Sequence, residues 1–141
     1  MHLQIAQEQV AEQVASHYSG KTLILLDRGL LDAAAYVEAH ILEDLLAQHN
    51  LSRAWILASR YDGVVHMVSA ADWAEAYYTL ANNESRTESI EQAKQLDYAL
   101  RGIYASTSGL RIIDNSTSFE EKLQRVEAAI FDILGIPESL R

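Results

Sequence analysis

The chain has 141 residues, with 11 basic and 20 acidic side chains and a net charge of −9, a length that suits one domain (1–141) around a single core. That charge repels phosphate backbones, so no nucleic-acid partner is expected, and the lack of cysteine excludes a disulfide frame, a thiol nucleophile and a cysteine-based zinc site. The first residues, MHLQIAQEQVAEQ, carry no leader pattern and no apolar run reaches membrane-spanning length, so a cytoplasmic protein without a membrane span is expected.

Leu3, Ala6, Val10, Val14 and Tyr18 recur at helical spacing, opposite Gln7, Glu8, Glu12 and Gln13. This pattern predicts an amphipathic helix that buries the first group and ends at Gly20. The run Leu23-Ile24-Leu25-Leu26 follows, apolar on both side-chain faces, and it predicts a strand, Thr22–Leu26, buried on both sides. Leu31–Tyr36 and Val37–Gln48 come next, with Ile41, Leu42, Leu45 and Leu46 as an apolar stripe. Ser52 is placed to cap a short helix through Leu57, with Trp55 in the core.

Gly63–Val68 is the second strand candidate, and Asp72 with Glu75 has the spacing of a capping box. The stretch from Asn82 to Glu88 is too polar to be buried. Ser89 with Gln92 opens a helix carrying Ile90, Ala93, Leu96, Leu100 and Tyr104. Leu110–Ile113 is the third strand candidate, and Ser118 with Glu121 opens a last helix with Phe119, Leu123, Val126, Ile130, Ile133 and Leu134, stopped by Gly135 and Pro137. Helices alternating with strands predict a three-layer α/β fold with a parallel sheet.

In such sheets ligands bind beyond the carboxyl ends of the strands, which directs attention to three places. Asp27, Arg28 and Asp32 follow the first apolar run. A strand-end aspartate can hold magnesium or orient a substrate hydroxyl, and arginine offers a planar fork for phosphate; the plainer reading is a turn with a surface ion pair. Asn82, Asn83, Glu84 and Arg86 form a polar stretch whose arginine can neutralise a transferring phosphate, or is simply solvated. Asp114, Asn115, Ser116 and Thr117 follow the third run, and can bind a base or ribose or just make a turn. The five histidines show no metal spacing, and His66, inside an apolar run, reads as a satisfied core histidine. Ser19-Gly20-Lys21-Thr22 imitates the end of a phosphate loop, but Ala15 stands where a glycine is needed and a helix precedes it instead of a strand.

The segments LILLDRGLLDAAAY, YDGVVHMVSAAD, YYTLANNESRTES and LRIIDNSTSFEEKLQRV, with GIP near the end, together resemble the NadR-like AAA group of P-loop NTPases, which includes the nucleotide-binding half of the translocation-defect proteins. The resemblance covers nearly the whole chain and extends to nucleoside and nucleotide kinases. It implies a nucleotide-kinase-like fold that binds ATP or GTP with Mg2+. Asp27 would be a catalytic and metal-binding residue, Arg86 a catalytic lid arginine, and Arg28, Asp114 and Asn115 would contact the nucleotide. It also implies a glycine-rich phosphate loop ahead of Leu3, which is absent. The chain is therefore expected to be an N-terminally truncated form, or else a natural degenerate one, with little activity alone. In the related fold the phosphate-loop strand lies between the strands matching Leu23–Leu26 and Val64–Val68. Its loss would leave two bare edges that pair directly or self-associate. Three functions stay open: phosphoryl transfer or hydrolysis, a nucleotide-regulated binding module, and an inactive remnant acting through protein contacts.

Overall fold

The computed structural model describes residues 1–72, 89–137 and 139. Its elements run α1 (His2–Ser16), a 3-10 helix (Leu30–Ala35), α2 (Ala39–Ala47), α3 (Arg53–Trp55) leading into a wider π-type turn (Ile56–Arg60), β1 (Val64–Met67), α4 (Ile90–Ile103), β2 (Leu110–Ile113) and α5 (Phe119–Ile133). They gather into two compact units, Met1–Ile56 and Leu57–Arg141.

In the first unit the core is built from Ile5 of α1, Leu30 and Leu31 of the 3-10 helix, Leu42 and Leu46 of α2, and Ile56. Leu42 and Leu46 follow the predicted stripe of α2, four residues apart on one face. The stripe predicted for α1 does not hold: Leu3, Val10, Val14 and Tyr18 are exposed, and α1 buries Ile5 and Glu8 instead. The helix also ends at Ser16, four residues before Gly20. The predicted strand Thr22–Leu26 is not formed. That segment carries no ladder among the described residues, and Leu23, Leu25 and Leu26 are exposed. An apolar run supplies side chains for a buried strand, but only a neighbouring strand can satisfy its backbone groups. Ser52 does cap α3, its hydroxyl accepting from the Trp55 amide at 3.2 Å, while Trp55 itself is 45% exposed rather than in the core.

In the second unit β1 and β2 form a two-stranded parallel sheet in which Val64 faces Leu110 and Met67 faces Ile113. The 42 residues between the strands include α4, the crossover helix that parallel pairing requires. Two of the three capping boxes predicted in this unit form: Ser89 with Gln92 starts α4 and Ser118 with Glu121 starts α5; the third, Asp72 with Glu75, reaches outside the described residues. α5 ends as its sequence predicts. Gly135 takes φ of +64°, its amide donates to Asp132, and the Ile136 amide donates to Phe131 at 2.9 Å, closing the last turn. The inward face of α5 is Lys122, Val126, Ala129, Ile130 and Ile133, so Phe119, Leu123 and Leu134 of the predicted stripe are exposed.

Close backbone approach fixes the start of the sheet. A Cβ on Gly109 would lie 2.7 Å from the Asp62 carbonyl oxygen and 2.8 Å from the Gly63 Cα, and one on Gly63 would lie 2.6 Å from Ile133. The two glycines therefore bring β1, β2 and the last turn of α5 together.

Candidate functional site

The carboxyl ends of β1 and β2 carry the densest polar network among the described residues. The ladder extends one bond past β1, with the Val68 amide donating to Ile113 at 2.9 Å. From there Val68–Asp72 is held by side chains from three directions. Asp97, buried on α4, accepts from the Ser69 amide at 2.7 Å, from His66 Nε2 at 3.2 Å and from Arg101 at 3.2 Å. Asn115, in the turn after β2, donates both amide protons, to the carbonyls of Ser69 (2.8 Å) and Asp72 (2.7 Å). Lys122, buried in the first turn of α5, donates to the Val68 carbonyl at 2.7 Å and to Asn115 Oδ1 at 2.5 Å.

This network puts local strand chemistry to use. Parallel strands leave carbonyls at their carboxyl ends without ladder partners, and a buried carbonyl left alone costs about 1–3 kcal/mol. Lys122 satisfies the carbonyl of Val68, and Asn115 binds those of Ser69, which also accepts from the Asp72 amide, and of Asp72 in the turn beyond. Burial holds the Lys122 ammonium below its ordinary value, partly opposed by the nearby Asp97 charge.

Beside the network lies an open hollow of about 640 Å3, with Asp72, Tyr98, Arg101, Asp114, Asn115 and Ser116 among its lining residues. Tyr98 donates to the Asp72 carboxylate at 3.3 Å, and the Arg101 guanidinium sits 5.2 Å from the Tyr98 ring centre. Asp114 is exposed and accepts from the Ser116 hydroxyl (2.6 Å), the Ser116 amide (3.2 Å) and Arg125 (2.7 Å). The bonds from Ser116 and Arg125 lower its pKa to about 2, so it is a carboxylate throughout the neutral range.

Asp114 and Asn115 are thus at the strand ends, as the sequence predicts, but Asn115 has its whole amide engaged in holding β1's exit. His66 is the satisfied core histidine expected, with a side chain 12% exposed against Asp97. Asp97 and Lys122 escaped the sequence reading. Asp97 had a signal, an acidic residue in line with Ala93, Leu100 and Tyr104 on the apolar face of its helix. Lys122 lies in register with Val126, Ala129 and Ile133, and of these Val126 and Ile133 belong to the predicted apolar stripe.

The other candidates belong to the first unit or lie outside the description. Asp27 is exposed just after the Leu23–Leu26 run. Arg28 takes φ of +84°, in the left-handed region unusual for a side-chain-bearing residue. Its carbonyl accepts from Gln4 at 2.9 Å, and its guanidinium reaches Asp32 at 3.5 Å. Asp32 also accepts from the Gly29 amide at 3.3 Å, so the plainer reading of Arg28 and Asp32, a turn with an ion pair, describes their observed contacts. Arg86, with Asn82, Asn83 and Glu84, lies outside the described residues, as do Trp73, Glu75, Tyr77 and Tyr78. Gly20-Lys21-Thr22 follows a helix and leads into a segment without helix, so it lacks the helix amides of a phosphate loop. No helix among the described residues is long and apolar enough to cross a membrane.

No curated protein and no solved structure matches the chain. Residues 1–122 match the model of a family described as an AAA domain, a span that includes Asp27, Arg28, Asp97, Asp114, Asn115 and Lys122. The chain belongs to this AAA domain family, within the nucleotide-binding P-loop NTPase superfamily.

Proposed function

We propose that the chain is the nucleotide-binding part of a NadR-like, kinase-related AAA domain with a three-layer α/β fold, working in the cytoplasm on ATP or GTP with Mg2+. The observation that carries this reading is the family match over residues 1–122, supported by a polar hollow at the carboxyl ends of two parallel strands, where open α/β sheets hold ligands. In this reading Asp27 serves magnesium and the reacting group, and Arg28 and Arg86 face phosphate. Asp114 and Asn115 form the wall on the base and ribose side. Because the Asn115 amide is engaged, its part is to fix the wall, while the Ser116 and Tyr98 hydroxyls and the Asp72 carboxylate offer the polar contacts.

The 141 residues contain no Gly-x-x-x-x-Gly-Lys-Ser/Thr sequence, and so lack the amide cradle and lysine that normally hold the β- and γ-phosphates. That fact favours a second reading, an inactive remnant that acts by protein contact or self-association; a non-catalytic module regulated by bound nucleotide is the remaining alternative. Calorimetric titration of the purified chain with ATP and with GTP, each with magnesium, separates the remnant from the readings that bind nucleotide. Micromolar binding supports the nucleotide-binding reading, and turnover that Arg86→Ala abolishes without loss of affinity assigns that arginine to phosphoryl chemistry. Absence of binding for both nucleotides leaves the remnant reading.

A further inference from the structure

Two histidines far apart in sequence meet in the first unit. His2, the first residue of α1, and His49, in the turn that ends α2, bring His2 Nδ1 and His49 Nε2 to 2.6 Å. The rings stand edge to face, 4.4 Å between centres and 62° between planes. At this separation the two nitrogens hold a single proton between them: one donates, and the other must keep its lone pair. Two imidazole nitrogens that converge in this way are a donor pair between which a metal ion can be held.

The backbone beneath His49 is fixed. Its amide donates to Leu46 and the following Asn50 amide to Ala47, both at 3.0 Å, and Asn50 closes the helix end with φ of +56°. The His49 ring is therefore carried by a well-tied turn, whereas exposed His2 has room to rotate. A tetrahedral ion with bonds of about 2.0–2.1 Å to imidazole needs its two nitrogens roughly 3.3 Å apart. Opening the pair by about 0.7 Å is within reach of a side-chain rotation at His2.

We propose that His2 and His49 form a two-imidazole site for a borderline divalent metal ion of the zinc, nickel or copper class, which ties the start of α1 to the end of α2. The described residues bring no third histidine or carboxylate to it, so water completes the coordination. This makes the site a weak, exchangeable staple rather than a closed structural centre. The inference does not depend on the proposed nucleotide site.

The test is calorimetric titration of the metal-stripped full chain with Zn2+. The expected result is one equivalent bound, with roughly tenfold or greater loss of affinity in both His2→Ala and His49→Ala, and no change in His17→Ala or His40→Ala. As a readout that does not depend on the variants folding, the imidazole proton signals of His2 and His49 in the wild-type protein should shift together during the titration, ahead of the other three histidines. Absence of binding, binding that survives either substitution, or a shift of only one of the two signals overturns the proposal.

Discussion

The segment after α1 and the strand β2 carry the same sequence message, and the chain treats them differently. Leu23-Ile24-Leu25-Leu26 runs into Asp27-Arg28, and Leu110-Arg111-Ile112-Ile113 runs into Asp114-Asn115. The second is a strand paired along its length with β1, and Ile113 is 7% exposed. The first has no ladder among the described residues, and Leu25 is 70% exposed. The run itself was the more apolar of the two, so hydrophobicity did not decide the outcome. A partner did. β2 has β1, brought alongside by the Gly63–Gly109 approach and held at its far end by Asn115, Lys122 and Asp97. Where the backbone polar groups have a partner, an apolar run becomes a strand; where they do not, it forms no regular element.

The comparison can be broken most forcefully at the paired end. Gly109→Ala drives a methyl into the Asp62 carbonyl and the Gly63 Cα and is expected to cost about 2–3 kcal/mol. Gly20→Ala, with open space around its Cβ, is the control and should be close to neutral; urea denaturation measures both. Next in size is Lys122→Met, which keeps the apolar stem but strips Val68 and Asn115 of a donor, at about 2 kcal/mol. Its pH dependence sharpens the point. The folded protein holds the Lys122 proton less tightly than the unfolded chain, whose value is near 10.5. In the alkaline window below that value the unfolded state binds more protons, so the advantage of wild type over Lys122→Met should widen as pH rises.

A smaller effect is expected in the unpaired region. Arg28→Gly and Arg28→Ala both remove the ion pair to Asp32, but only glycine relieves the left-handed backbone. The glycine variant should be the more stable of the two by about 1 kcal/mol, measured by thermal unfolding. The smallest effect is at Asp114, whose side chain is exposed. Its folded pKa is lowered from 3.8 to about 2, so it contributes stability that is present above 3.8 and lost as pH falls toward 2. Acid titration of wild type should therefore show a steeper loss across that window than Asp114→Asn.

These regions also show how much the sequence could say. β1, β2, α4 and α5 were legible because their signals are local: two capping boxes, a terminal glycine and two apolar runs, all within a few residues of where they act. Asp114 and Asn115 were legible as strand-end residues for the same reason. The face of α1 was not, because helical periodicity offers neighbouring stripes, and which one is buried depends on what packs against it; Ile5 won over Leu3 and Val10. The roles of Asp97 and Lys122 depend on contacts 28 and 54 residues away, which no local pattern encodes. The Leu23 run misled because it announces burial without naming a partner.

The nucleotide-binding reading predicts a ligand at the strand ends, and site-resolved amide hydrogen exchange with and without saturating magnesium-ATP tests it most directly. In the free chain, amides of Val64–Met67 and Leu110–Ile113 should exchange slowly and those of Leu23–Leu26 quickly. Adding nucleotide should slow exchange further in the turn 114–116 and in the β1 exit 69–72. Exchange in both turns that is unchanged by ATP and by GTP would contradict nucleotide binding at this site.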